Sequence, residues 1–139
     1  MADKSKVKKN LITATGKRKT AVARVFLEQK KGKILVNDKD INEVLNTEKN
    51  ELAWKKPFHL IGVSHPETQF NVTIKTHGSG KSSQVGAIMH GLSRALAKIS
   101  EENQVILSRA GMLTRDSRMV ERKKPYLRKA RKRPQYSKR

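Results

Sequence analysis

Apolar positions in the first third of the chain fall into short runs. LITAT (residues 11–15), AVARVFLEQ (21–29) and KILVN (33–37) are rich in β-branched residues and bounded by basic or glycine-containing links, a pattern that predicts three strands. Gly32, in QKKGK, stands where a hairpin turn would need positive φ, so residues 21–37 are expected to form an antiparallel hairpin, with GKRKT (16–20) as a basic connection ahead of it. Further on, residues 68–76 (TQFNVTIKT) place Phe70, Val72 and Ile74 on one face and polar side chains on the other, which predicts a strand with one buried side.

Helical spacing appears between and after these runs. Asp40 with Glu43 resembles a capping box ahead of Ile41, Val44 and Leu45. Thr47 is placed to cap a second short helix through Trp54, and Pro57 suits the first turn of a third piece, PFHLIGV. The strongest periodicity is Val85, Ile88, Met89, Leu92, Ala95, Leu96 and Ile99, which predicts the main core helix. Ser100 then reads as an N-cap with Glu101 and Glu102 in the first turn, and Val105, Ile106 and Leu107 lead to Gly111 as the residue just past the end. The expected class is α+β, one sheet with helices packed on it.

Charge adds a partner to this outline. The 139 residues carry 32 Lys+Arg against 12 Asp+Glu, a formal net charge of +20. Such a chain favours a polyanion, and self-repulsion opposes its compact state. No apolar run is long enough to span a membrane and no signal-peptide pattern follows the basic start, so nucleic acid in the cytoplasm is expected rather than a lipid surface. There is no cysteine, hence no disulfide or thiolate metal site.

Half of that charge is concentrated at one end. Residues 115–139 hold twelve cations and two acids with few apolar residues, too few to order the segment alone. Extended, such a stretch spans about 80 Å. The expected organisation is therefore a basic N-terminal arm (1–10), a globular body (11–114) and an extended RNA-binding tail (115–139).

Catalytic and cofactor chemistry finds little support. GSGKSS (78–83) lies between a strand and a helix, but a phosphate-binding loop would need glycine where Lys75 stands. The helix start still favours a phosphate oxygen, with Lys81 beside it. His59, His65, His77 and His90 show no metal-ligand spacing, and Ser79 has no acid and base placed beside it, so no metal, cofactor or catalytic residue is expected. Aromatic strings of single-strand RNA modules are absent from the body, so recognition should rest on shape and phosphate contacts. Tyr126 and Tyr136 in the tail either stack on bases or fill gaps in a groove. A DNA-compacting protein would share the charge, and a phosphate-loop enzyme the glycines.

Three blocks, in order, narrow these alternatives: TGKRKTAVARV (15–25), GSGKSSQVGAIMHGLSRAL (78–96) and GMLTRDSRMVERKKPYLRKARKRPQYSKR (111–139). Together they resemble the universal family of small-subunit ribosomal protein nine, in its bacterial form. The middle block departs where Gly78, Ser79 and Gly80 replace a usual triple glycine and Lys81 takes a usually apolar place; Gln84, Ala87, Gly91, Ser93, Arg94, Ala95 and Leu96 fit. Tyr126 stands where glycine is common, and Tyr136 where phenylalanine is.

The resemblance implies a body like domain two of ribosomal protein five, with a left-handed βαβ crossover. It implies a non-enzymatic place in the ribosome, on the 3′ major domain of small-subunit rRNA in the head, beside other head proteins. The residues expected on rRNA are Lys17, Arg18, Lys19, Arg24, Lys81, Arg94 and Arg109 in the body. In the tail they are Arg115, Arg118, Arg122, Lys123, Lys124, Arg128, Lys129, Arg131, Lys132 and Arg133. Ser137, Lys138 and Arg139 would meet the anticodon stem-loop of transfer RNA in the peptidyl site.

Overall fold

In the computed structural model, residues 11–138 are described; the expected N-terminal arm and Arg139 lie outside them. Strands β1 (Leu11–Arg18), β2 (Ala21–Glu28), β3 (Ile34–Val36), β4 (Lys39–Asp40) and β5 (Asn71–His77) form one sheet in the order β1-β2-β5-β3-β4. Helices α1 (Ile41–Val44) and α2 (Glu48–Leu60) connect β4 to a 3-10 turn, Pro66–Thr68, ahead of β5. Helices α3 (Lys81–Ala97) and α4 (Glu101–Arg109) follow.

The hairpin forms one strand earlier than the sequence pattern suggests. β1 continues through Arg18, so most of the supposed basic connection is strand, and a tight turn at Lys19 (φ 49°) and Thr20 reverses the chain into β2. β2 and β3 are not neighbours, because β5 lies between them, antiparallel to β2 and parallel to β3. Length decides this pairing. The seven residues of β5 match β2 from Val22↔His77 to Glu28↔Asn71, whereas β3 has only three residues to offer. Gly32 does not take positive φ, and its N–H donates to the Glu67 carbonyl at 3.1 Å.

One face of the sheet is apolar and made of small residues at the β1–β2 end. Ala14 and Gly16 on β1, and Ala21, Ala23, Val25 and Leu27 on β2, are buried beneath α3. Ile34, Val36, Val72 and Ile74 continue this layer on β3 and β5, as the alternation in residues 68–76 requires. Gly16 and Gly91 let backbone meet backbone: a Cβ on Gly16 would lie 1.9 Å from the Ala87 carbonyl oxygen and 2.3 Å from the Gly91 nitrogen. α3 is therefore laid almost directly on β1, with Val85, Ala87, Ile88, Leu92, Ala95 and Leu96 buried.

The helices at the other end differ in one respect from the sequence pattern. α2 is a single 13-residue helix with Pro57 inside it, not two pieces divided at the proline. A proline within a helix costs about 3 kcal/mol, and burial offsets it, since Trp54, Pro57 and Phe58 form one buried face. Fully burying a phenylalanine alone contributes about 1.5–3 kcal/mol. Phe58 packs edge-on to Trp54 at 6.3 Å and tilted against Phe70 at 5.8 Å. Thr47 caps α2 through its carbonyl and not its hydroxyl, accepting from the N–H groups of Asn50 and Glu51.

Two caps follow the sequence closely. Asp40 accepts from Asn42 N–H at 2.9 Å and Ser100 from Asn103 N–H at 3.3 Å. α4 ends in a Schellman motif: Gly111 (φ 69°) donates to Ser108 and Met112 to Leu107. Of the apolar triplet in α4 only Leu107 is buried; Val105 and Ile106 face outward because the short helix touches the body along one line.

Candidate nucleic-acid interface

β1 is an edge strand, and open edges present unpaired backbone groups that invite aggregation. Here α3 covers that edge with three side chains spaced four residues apart. Nδ1 of His90 accepts the Lys17 N–H at 3.2 Å, Arg94 donates to the Thr15 carbonyl at 2.6 Å, and Lys98 donates to the Thr13 carbonyl at 2.6 Å. Alternate residues of an edge strand point their backbone groups outward, and a helix presents every fourth side chain along one stripe, so the two periods meet. Arg94, expected on RNA, thus has a structural bond as well. Lys98 was not singled out by the sequence, and His90 was weighed only as a metal ligand, although the i, i+4, i+8 spacing of three cationic or polar residues on α3 carried the signal.

His90 also ties down the chain after α4, since its Nε2 lies 3.1 Å from the Leu113 carbonyl. With Nδ1 accepting, Nε2 carries the proton and donates; the bond from Lys17 requires neutral imidazole, because protonated Nδ1 cannot accept. Burial, with Arg94 and Arg115 adding positive charge, holds the His90 pKa below its ordinary value. A histidine pKa depressed by folding makes the unfolded chain bind more protons, so the contribution of His90 is fully present above the unfolded pKa of about 6.5 and is lost as pH falls below it. The urea midpoint is expected to drop between pH 7.5 and pH 5.5, and to drop less in His90→Gln.

The face of the sheet away from α3 is open and cationic. Register places Arg24 on β2 between Thr15 and Lys75, and places Lys17 and His77 on either side of Val22 in the next row. Like charges directly opposite in a sheet are destabilising, so Arg24 beside Lys75 favours an anion lying across them. Lys75 was not among the cations expected on RNA, because it read as the polar side of an alternating strand and as the residue that breaks the phosphate-loop pattern. A groove of about 470 Å³ continues from this face around the β1 edge, lined by Thr13, Thr15, Arg24, Phe26, Arg94 and Lys98.

The tail begins by docking on the body. Met112 and Leu113 pack against the core, Arg115 donates to the Lys19 carbonyl at 3.4 Å, and Asp116 pairs with both Arg18 and Arg118. The basic turn and the tail root are thereby brought together. Farther along, Glu121 pairs with Lys124 and Arg131, and Arg128 N–H donates to the Lys132 carbonyl at 2.8 Å. Arg122, Lys123, Lys129, Arg133, Ser137 and Lys138 are exposed, as are Tyr126 and Tyr136. Lys81 is exposed at the start of α3 and Arg109 at the end of α4, apart from the open sheet face.

The sequence matches the family model for ribosomal protein S9/S16 over residues 16–139. The chain belongs to the S9/S16 family. It is 46% identical over 129 residues to Small ribosomal subunit protein uS9c of Spinacia oleracea. That match covers 92% of this chain and 61% of the relative, which is thus considerably longer. Two departures from the S9 pattern fall at left-handed backbone positions. Ser79 (φ 51°) and Tyr126 (φ 63°) both hold left-handed conformations, the region that glycine enters without steric cost.

Proposed function

We propose that this protein is a structural, non-catalytic component of the small ribosomal subunit that binds rRNA through its open sheet face and tail. Membership of the S9/S16 family supports the assignment, and the observation that carries the contact surface is the row of cations on the uncovered side of the sheet. Lys17, Lys19, Arg24 and Arg94 are the body contacts, joined by Lys75 and Lys98. Lys81 and Arg109 reach flanking phosphates, and Arg18 is shared with Asp116. The body of residues 11–114 is the rigid part, and the tail from Arg115 to Arg133 follows a path through RNA in the subunit head, where neighbouring proteins also lie. Arginines grip phosphates with paired N–H donors, while lysines act as hydrated point charges with little demand on geometry.

At the tail tip, Ser137, Lys138 and Arg139 meet transfer RNA in the peptidyl site, with Tyr136 as the aromatic contact behind them. Deleting residues 137–139 is expected to leave assembly of the subunit intact and to weaken peptidyl-site transfer RNA binding several-fold. Filter binding with purified truncated subunits measures this. Unchanged affinity would remove the tip from the transfer RNA site while leaving the ribosomal assignment standing.

A further inference from the structure

The chain has three phenylalanines, and the sheet separates one from the others. Phe58 and Phe70 lie in the core, packed on each other. Phe26 is on β2, where Ala23, Val25 and Leu27 are buried beneath α3, so its side chain belongs to the open face. It is half-buried, stands outside the core and the apolar residues packed on it, and has no aromatic partner among the described residues. Core packing therefore does not account for it. Register sets Thr13 and Thr73 on its two sides, and side chains this short cannot cover a phenyl ring.

Cations surround this ring. Arg24 lies two residues before it on the same face, with Lys75 across the ladder from Arg24. The groove of about 470 Å³ that Phe26 lines is bounded by Arg24, Arg94 and Lys98 and has no acid on its lining. Glu28, two residues on, is paired with Lys30, which compensates its charge. Arg94 and Lys98 are exposed and each gives one donor to a β1 carbonyl, so further N–H groups remain for a phosphate oxygen. An aromatic ring among cations matches a nucleotide, which joins a flat base to an anion. An apolar side chain of a protein partner would use the ring and leave the cations unpaired.

We propose that Phe26 is a stacking site for one unpaired RNA base, whose flanking phosphates are held by Arg24 and by Arg94 or Lys98. The inference rests on the RNA-binding reading given above and adds a base contact to a surface otherwise made of phosphate contacts. A base inside a duplex hides both faces in the helical stack, so the nucleotide must be unpaired. Stacking accepts any base, because every base has a π-face.

Fluorescence of the full chain carrying Phe26→Trp tests it, with single-stranded oligoadenylate as the probe and inorganic polyphosphate as a polyanion without bases. Trp54 is buried in the core, and the unsubstituted chain supplies its background signal. Oligoadenylate is expected to quench the new indole, and polyphosphate to bind without quenching. Quenching by both, or by neither, overturns the stacking site. Phe26→Leu keeps an apolar side chain without a ring and should weaken oligoadenylate binding about 5- to 100-fold at an unchanged salt slope. Phe26→Tyr should bind like the wild type. No loss in the leucine variant, or an equal loss in both, overturns the site while the RNA-binding reading stands. A wild-type chain that binds no oligoadenylate at any salt overturns both. In purified small subunits, p-benzoylphenylalanine at position 26 should mark an unpaired nucleotide of rRNA; an adduct to protein or to a paired nucleotide counts against the site.

Discussion

Gly16→Ala is expected to destabilise the body by about 3 kcal/mol or more, at the upper end of the usual cost of overpacking. The reason is that both obstacles are backbone. The new methyl would sit 1.9 Å from the Ala87 carbonyl oxygen and 2.3 Å from the Gly91 nitrogen, and neither can rotate away. Relief requires α3 to lift off β1, which would stretch the bonds from His90, Arg94 and Lys98 to the strand edge and expose the small-residue layer beneath. A chain of +20 has little stability to spare. Gly86→Ala is the control, because its methyl would meet only the flexible Arg18 side chain at 3.1 Å. Gaining alanine's helix propensity, about 1 kcal/mol over glycine, should leave that variant near wild type. Urea denaturation compares the two; equal midpoints would show that α3 does not lie this close to the strand.

Removing residues 115–139 should have the largest effect on RNA affinity. The deletion takes twelve cations and two acids, half of the formal net charge. Each phosphate that is no longer neutralised lowers the slope of log K against log salt by about 0.7–0.9, so releasing roughly six to ten phosphates lowers it by about 4–9. The truncated chain should still fold, since Met112 and Leu113 remain on the core and the Arg18–Asp116 pair is partly exposed, where such pairs contribute about 0–1 kcal/mol. Incorporation into subunits should fail or fall sharply. Equal salt slopes for the two chains would show that the body alone holds the phosphates.

Local chemistry made several elements readable in advance. The spacing from Val85 to Leu96 marked α3, the alternation around Val72 and Ile74 marked β5, and Ser100 and Gly111 marked both ends of α4, because each signal depends on residues within a turn or two of one another. The family was legible from three ordered blocks. The β2–β3 hairpin was wrong for the complementary reason: strand adjacency depends on a partner that lies more than thirty residues farther on, and β5 fitted β2 better than β3 could. The unbroken α2 was missed because only burial of Trp54, Pro57 and Phe58 outweighs the proline.

The candidate interface divides along the same line. By itself the sequence pointed to an α+β fold and to a strongly basic C-terminal stretch, since composition and local periodicity are properties of the chain and need no contacts. Only tertiary structure decided which cations act together. Strand register set Arg24 beside Lys75 on the open face, the close approach of Gly16 and Gly91 brought Arg94 and Lys98 onto the β1 edge, and the return of the chain after α4 joined Asp116 to Arg18. Each of these depends on groups distant in sequence that packing alone makes neighbours.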